Sequence, residues 1–332
     1  MGGIINSMEY RTLGKTGVQV SPLCFGTMSF GGNADEVTSR AMFKRCLDEG
    51  INFFDCADIY NKGRSEEILG KCISDFNCRD EIVLTSKVYG KTGQDINSQG
   101  LSRRHIMLAV EDSLRRLGTD RIDIYFVHKF DDKTDIAETL CALDDLVQQG
   151  KILYPAVSNW AAWQIEKALG ISRQESLARF ECVQPMYNLV KRQVEVEILP
   201  MAKEEGLGVI SYSPLGGGLL TGKYSTNKKP DKGRLVDREN YAKRYGLDVY
   251  YQVAENFTEH AESRGLDPAS LAVAWVMSHP AVTAPIIGAR NLEQLEGSLK
   301  ALNIGMTDQW REEISSLSIT PPPATDRLEE MK

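Results

Sequence analysis

The sequence predicts an α/β fold in which a single chain forms one closed (β/α)8 barrel. Eight short runs that are apolar on both faces recur along the 332 residues and alternate with segments of helical periodicity. Runs of this kind are typical of parallel strands buried on both sides. Eight alternations favour a barrel over an open sheet, and barrels of ~250 residues or more fit a chain of this length.

The elements follow one another in a regular order. The predicted strands are PLCFG, INFFDCA, EIVLTSK, IDIYFVH, ILYPAVS, FECVQP, LGVISYS and TAPIIGA. The predicted helices between them cover residues 34–49, 65–76, 102–117, 136–149, 161–175, 195–205 and about 248–264. Four of these helices are expected to end at a glycine, which supplies the left-handed position after a helix: Gly50, Gly118, Gly150 and Gly206.

Two further segments decorate the predicted barrel. EYRTLGKTGVQVSP, before the first barrel strand, is expected to form a β-hairpin that plugs the N-terminal end of the barrel. A long loop after strand 7, from about residue 216 to 246, is expected to line the active face. Residues 8–320 are predicted to form the single domain, with weakly ordered tails at 1–7 and 321–332.

Composition restricts the class of protein. With 42% hydrophobic and 26% charged residues the chain is typical of soluble globular proteins, and its net charge of −7 argues against nucleic acid as a general partner. No run is long enough for membrane insertion and no signal peptide is recognisable, which predicts a cytoplasmic location. The seven scattered cysteines lack C-x-x-C spacing, so reduced thiols are expected and no metal site is proposed. A homo-oligomer is left open.

Four ionisable residues lie at or just past the ends of three successive predicted strands: Asp55, Tyr60, Lys87 and His128. Parallel barrels place such residues in one shared site. A buried ammonium beside a tyrosine favours the phenolate and makes the phenol proton available, and Lys87 is the candidate ammonium. Asp55 would keep Lys87 charged, and His128 would hydrogen-bond a substrate oxygen or relay the proton.

This arrangement can protonate a carbonyl oxygen, but none of the four residues can donate a hydride. A nicotinamide cofactor would have to supply it, yet no G-x-G-x-x-G motif follows the first strand. The loops after strands 7 and 8, SYSPLGGGLLTGK and IIGARNLEQLEGS, offer an alternative. Each combines backbone amides, a small-residue turn and a cation, Lys223 or Arg290, near a predicted helix N-terminus, which suits phosphate groups.

A dense set of motifs resembles the aldo-keto reductases, in particular the branch that contains potassium channel β subunits and bacterial aldo/keto reductases. The motifs are FGTMSFGG, FFDCADIY with GRSEEILG, LTSKVYG, DIYFVHKFD, VSNW, VQPMYN, SYSPLGGGLLTGKY and PIIGARN, within residues 9–305. The resemblance implies a TIM barrel, NADP(H) as cofactor and Tyr60 as general acid. It also implies that Lys87 and His128 tune Tyr60 and that Asp55 holds Lys87.

The same resemblance implies a set of cofactor contacts. The nicotinamide end would be bound by Thr27, Met28, Asp55, Ser158, Asn159, Gln184 and Tyr212, the pyrophosphate by Ser213, Pro214, Leu215, Gly216, Gly217, Lys223 and Arg234, and the adenosine end by Gly288, Arg290, Gln294 and Ser298. Arg290 facing a 2′-phosphate would select NADPH over NADH. One departure concerns adenine, because a Glu-Asn pair frequent in the family is Gly297-Ser298 here.

Three functions stay open at this level. The first is an NADPH-dependent reductase of aldehydes or ketones, sugar-derived carbonyls included, that also runs in reverse on alcohols. The second is a cofactor-sensing regulatory subunit similar to potassium channel β subunits, which look altered at the position of His128. The third is a phosphate-handling barrel enzyme, such as an isomerase or aldolase, in which Lys87 would form a Schiff base. Aromatic walls of a substrate pocket are expected from Phe30, Tyr89, Phe130 and Trp160.

Overall fold

The computed structural model describes residues 8–330, which form a closed barrel of eight parallel strands, so the predicted fold is confirmed. A two-stranded hairpin, β1 (Arg11–Thr12) and β2 (Gln19–Val20), precedes the barrel. The barrel strands are β3 (Cys24–Gly26), β4 (Phe53–Asp55), β5 (Val83–Val88), β6 (Ile122–Val127), β7 (Ile152–Ser158), β8 (Cys182–Gln184), β9 (Gly208–Ser211) and β10 (Ala284–Ile287). Each pairs with the next, and β10 closes onto β3. The predicted N-terminal tail, 1–7, and the last two residues of the predicted C-terminal tail lie outside the described residues.

Helices surround the strands. They are α1 (Glu36–Asp48), α2 (Arg64–Phe76), α3 (Arg103–Leu117), α4 (Ile136–Gln148), α5 (Ala162–Glu175), α6 (Ile198–Glu205), α7 (Arg234–Asp237), α8 (Glu239–Tyr245), α9 (Asp248–Ser263), α10 (Pro268–Met277), α11 (Leu292–Leu299) and α12 (Asp308–Ser315). The glycines predicted to end helices have positive φ: 90° at Gly50, 63° at Gly118, 69° at Gly150 and 66° at Gly206. None of the described helices is long and apolar enough to cross a membrane.

Four helices were not predicted: α7, α8, α10 and α12. The helix α10 lies between α9 and β10 and was missed, because PASLAVAWVM is apolar on nearly every face and so lacks an amphipathic stripe. Its side chains from Ser270 to Val276 are all buried. The segment 216–246, expected to be a loop, contains the short helices α7 and α8.

The hairpin fills the N-terminal end of the barrel, as predicted. Leu13 and Val20 are fully buried and pack against strand residues that point into the barrel, including Phe53 and Phe126. Leu13 reaches the barrel wall beside Gly208, where an added Cβ would lie 2.4 Å from Leu13 Cδ1. Burial of such side chains stabilises a fold by about 1.5–3 kcal/mol each. With this end closed by apolar packing, the opposite end is left for chemistry.

Candidate active site

A cavity of about 1050 Å³ opens at the C-terminal end of the barrel. Its wall is formed by the ends of several strands, by the segment after β9 and by the loop after β10. Asp55, Tyr60 and His128 line it, and Lys87 lies directly behind Asp55. The structure therefore brings together the four residues that the sequence singled out.

Asp55 and Lys87 form a fully hydrogen-bonded buried ion pair. Lys87 Nζ donates to Asp55 Oδ1 at 2.6 Å, to Asp55 Oδ2 at 2.7 Å and to the Cys56 carbonyl at 2.6 Å. Asp55 Oδ1 also accepts from Thr85 Oγ1 at 2.8 Å and from Gln184 Nε2 at 2.9 Å. Burial lowers the pKa of Lys87, but the Asp55 carboxylate together with Tyr60 and Cys56 outweighs burial, and the pKa ends above its ordinary value. Lys87 is therefore an ammonium at neutral pH.

Tyr60 lies against this ammonium. Lys87 Nζ is 5.1 Å from the centroid of the Tyr60 ring, and the Tyr60 and His128 ring centroids are 6.0 Å apart at an interplanar angle of 77°. Burial raises the pKa of Tyr60, and the attraction of Lys87 for the phenolate opposes that rise without cancelling it. The sequence suggested a lowered pKa, and desolvation is the reason for the difference. Tyr60 keeps its proton at neutral pH, which is the form that a general acid requires.

His128 is neutral. Burial, together with the Lys87 charge, lowers its pKa to about 3. Its backbone N–H donates to the Val88 carbonyl at 2.9 Å, which fixes the residue at the end of β6. A neutral imidazole beside Tyr60 is suited to donate a hydrogen bond to a substrate oxygen.

The residues expected at the nicotinamide end are held in place by one another. Ser158 Oγ donates to the Gln184 carbonyl at 2.9 Å, and Asn159 Nδ2 donates to the His128 carbonyl at 2.9 Å. Tyr212 OH donates to Asn159 Oδ1 at 2.7 Å. Ser158, Asn159, Gln184 and Tyr212 all line the cavity. Their polar groups are thus oriented by the protein itself, in the manner of a preformed binding site.

The far arm of the cavity is rich in cations. Most of the residues expected at the pyrophosphate and adenosine line it, namely Ser213, Pro214, Leu215, Gly217, Lys223, Arg234, Gly288, Arg290, Gln294 and Ser298. The cations around the whole cavity are Lys129, Lys223, Lys232, Arg234, Arg244 and Arg290. Arg290 lies just before α11, whose N-cap Asn291 accepts a hydrogen bond from Gln294 N–H at 3.0 Å. Positive side chains beside a helix N-terminus suit phosphate groups.

Some expected residues lie elsewhere. Thr27 and Gly216 do not line the cavity. Thr27 is fully buried and its Oγ1 donates to the Asp55 carbonyl at 3.1 Å, so it supports the strand end, while Met28 faces the cavity. Of the aromatic walls only Tyr89 lines the cavity. Phe30 is buried, and Phe130 packs against Trp160 with ring centroids 4.9 Å apart.

Asp267 is a cavity residue that the sequence did not reveal. It caps α10, with Oδ1 accepting from Ala269 N–H at 3.0 Å. Its Oδ2 lies 3.2 Å from the point where a Cβ on Gly297 would stand. The carboxylate therefore lies next to the space that a side chain at Gly297 would fill, where the resemblance implies a glutamate. No signal marked it, because the helix that it caps was itself missed.

Comparison with known proteins agrees with this geometry. The family model described as Aldo/keto reductase family matches residues 22–319. The chain belongs to the aldo/keto reductase family. It is 38% identical to the uncharacterized oxidoreductase YrpG of Bacillus subtilis, with 90% of this chain and 92% of that protein covered. It is 36% identical to a probable voltage-gated potassium channel subunit beta of Arabidopsis thaliana, with 90% and 92% covered. It is 32% identical to norsolorinic acid reductase B of Dothistroma septosporum, with 93% and 81% covered.

The family membership shows an oxidoreductase and confirms the resemblance seen in the motifs. Relatives named as reductases and relatives named as channel subunits match over a similar span of the chain. The choice between these two functions has to be argued from the site.

Proposed function

We propose that this aldo/keto reductase is an NADPH-dependent carbonyl reductase that acts reversibly on an aldehyde or ketone, with Tyr60 as general acid. The observation that carries the proposal is the position of the protonated Tyr60 at the cavity floor, against the ammonium of Lys87. That ammonium is held in a buried pair with Asp55. A purely structural ion pair would not need a tyrosine and a neutral histidine converging on the same opening.

Proton transfer from Tyr60 to a forming alkoxide is favourable, because an alkoxide is a stronger base than a phenolate. The resulting phenolate lies beside Lys87, whose charge stabilises it. His128 Nε2 or Nδ1 donates to the carbonyl oxygen and orients it toward Tyr60. In the reverse direction the Tyr60 phenolate accepts the alcohol proton.

The cavity residues fit a nicotinamide dinucleotide. When bound, that cofactor supplies the hydride that none of the side chains can supply. Ser158, Asn159 and Gln184 offer amide and hydroxyl groups for its carboxamide, and Tyr212 offers a ring face. Lys223 and Arg234 would meet the pyrophosphate, and Arg290 the 2′-phosphate. Asp267 would accept a hydrogen bond from the adenine amine in place of the missing glutamate.

The decisive experiment is Tyr60→Phe. This change removes the proton donor and leaves the ring, so turnover of a panel of aldehydes should fall by about 10³-fold or more. NADPH binding, measured by fluorescence titration, should stay within about twofold. Retention of most of kcat/KM in the variant would reject Tyr60 as the acid.

The cofactor preference has its own test in Arg290→Ala. If Arg290 contacts the 2′-phosphate, the variant should bind NADPH about 10–100-fold more weakly and NADH unchanged, since one charge-assisted bidentate contact is lost. An equal loss for both cofactors would place Arg290 outside the 2′-phosphate site.

The second candidate is a regulatory subunit, which the channel-subunit relatives favour. The intact set Asp55, Tyr60, Lys87 and His128 favours catalysis instead. Purified protein that binds NADPH, oxidises it with none of the aldehydes tested and captures a membrane protein would reverse this order.

A further inference from the structure

We infer that Asn61 is a positioning residue that anchors the turn carrying Tyr60 to the wall of the cavity and so sets the place of the general acid. The inference rests on the proposed role of Tyr60. Asn61 does not line the cavity and therefore has no direct part in binding or in proton transfer.

The anchor consists of two hydrogen bonds from one side-chain amide. Asn61 Nδ2 donates to the Met28 carbonyl at 2.9 Å and to the Phe30 carbonyl at 2.7 Å. Both acceptors are backbone carbonyls, so only a side chain with two N–H groups satisfies them together. The packing is also close, because a Cβ added to Gly32 would lie 2.6 Å from Asn61 Oδ1.

The turn has reason to need an anchor. After Tyr60 three successive residues are left-handed, with φ of 49° at Asn61, 58° at Lys62 and 88° at Gly63. Only glycine adopts this conformation freely, although asparagine tolerates it better than most residues. Tyr60 itself is tied to the preceding chain by one turn hydrogen bond, from its N–H to the Ala57 carbonyl at 3.1 Å. Local conformational preference alone therefore does not hold Tyr60 in place.

The segment that receives the anchor is itself fixed. Ser29 Oγ donates to the Ala289 carbonyl at 2.6 Å, which joins the loop after β3 to the loop after β10. Met28, Ser29 and Ala289 all line the cavity. Asn61 thus connects the turn of the general acid to the same wall that borders the cofactor arm. A displacement of Tyr60 relative to that wall is what its loss would produce.

Lys62 provides a matched control. It is the next residue, it is exposed, and it has the same left-handed backbone. Within the described part of the chain its side chain makes no hydrogen bond or ion pair. Asn61→Gly and Lys62→Gly each replace a left-handed residue by glycine, and only the first removes the anchor. Asn61→Asp adds a third comparison, since a carboxylate has the shape of the amide but cannot donate to the two carbonyls.

The experiment compares these three variants with the wild type in carbonyl reduction, NADPH affinity and the primary isotope effect with deuterated NADPH. We expect kcat to fall about 10-fold or more in Asn61→Gly and Asn61→Asp, because a shift of ~1 Å at a reacting group has effects of this size. The isotope effect on kcat should rise in both, since the chemical step becomes slower. Lys62→Gly should stay within about twofold of wild type, and NADPH affinity should change less than about twofold in all three.

Equal kcat in Asn61→Gly and Lys62→Gly would overturn the inference, as would a loss of NADPH affinity in Asn61→Gly that matches the loss of kcat. Amide hydrogen exchange in residues 57–63 gives a readout that does not depend on turnover. Exchange should accelerate in Asn61→Gly but not in Lys62→Gly. Unchanged exchange in Asn61→Gly would show that the two hydrogen bonds of Asn61 do not stabilise the turn. A wild-type protein that binds NADPH but reduces no carbonyl would refute the proposed function, and the inference with it.

Discussion

Asp55 and Asp58 are two carboxylates three residues apart, each only 2% exposed, with opposite surroundings. Asp55 accepts hydrogen bonds from Lys87, Thr85 and Gln184. Among the described residues neither oxygen of Asp58 has a hydrogen-bond partner. Burial and the nearby Glu66 carboxylate together raise the pKa of Asp58 to about 8, against the opposing effect of Arg116.

The difference shows that burial alone does not decide the charge of a side chain. At neutral pH Asp58 is mostly a neutral acid, because the Arg116 charge offsets only part of its desolvation. Asp55 is compensated by an ammonium and two neutral donors. The carboxylate that retains a partner faces the cavity, and the one without a partner lies beside Glu66 and Arg116, outside the cavity lining. The buried carboxylate that contacts an ammonium is thus the one that faces the site of the proposed chemistry.

The largest effect is expected from Asp55→Asn. The amide keeps the shape but leaves the Lys87 ammonium buried without its counter-charge, which costs about 3–5 kcal/mol of unfolding free energy. The pKa of Lys87 should fall, the phenolate of Tyr60 should lose its stabilisation, and carbonyl reduction should drop by about 10²–10⁴-fold. Urea unfolding and steady-state kinetics measure the two losses. A variant with normal stability would mean that Asp55 is not what keeps Lys87 charged.

Asp58→Asn is expected to act in the opposite direction. The folded-state pKa of about 8 lies above the ordinary 3.8, so the folded protein retains a proton that the unfolded chain releases, and stability falls as pH rises from 4 to 8. An asparagine removes this loss. The variant should gain about 2–5 kcal/mol at pH 8 and almost nothing near pH 4, with unchanged kcat. Urea unfolding at both pH values tests this, and a gain that does not depend on pH would contradict it.

The contrast also shows what sequence could and could not predict. Asp55, Lys87 and His128 were recognisable because each ends an apolar run, and parallel strands bring such ends together. The barrel followed from the same alternation of strands and helices. The predicted shift of the Tyr60 pKa was wrong in direction, because the shift depends on how much water the folded cavity excludes. Nothing in DCADIY distinguishes the partners of Asp55 from those of Asp58, because those partners come from distant strands and helices.

Other features lay beyond sequence for different physical reasons. Asp267 and Gly297 are 30 positions apart, and their proximity depends on how α10 packs against α11. The three left-handed residues after Tyr60 include a lysine, which carries no local signal for that conformation. Phe130 and Trp160 looked like pocket walls because they follow strand ends, yet their rings pack on each other. An aromatic residue near a strand end does not by itself reveal which side it faces.

The smallest effect is expected from Tyr125→Phe. This substitution tests the comparison between a partnered and an unpartnered buried group on a pair of tyrosines. Tyr125 and Tyr187 are both fully buried. Among the described residues the Tyr125 hydroxyl has no hydrogen-bond partner, whereas Tyr187 OH donates to Glu195 at 2.5 Å and accepts from Arg311 at 2.8 Å. Removing the hydroxyl of Tyr125 should stabilise the fold by about 0.5–1.5 kcal/mol, and Tyr187→Phe should destabilise it by about 1–3 kcal/mol because two charged partners lose a bond. Thermal and urea unfolding of both variants measure the difference. Opposite signs would extend to neutral hydroxyls the conclusion drawn from Asp55 and Asp58, and equal destabilisation would mean that the Tyr125 hydroxyl is hydrogen-bonded in solution.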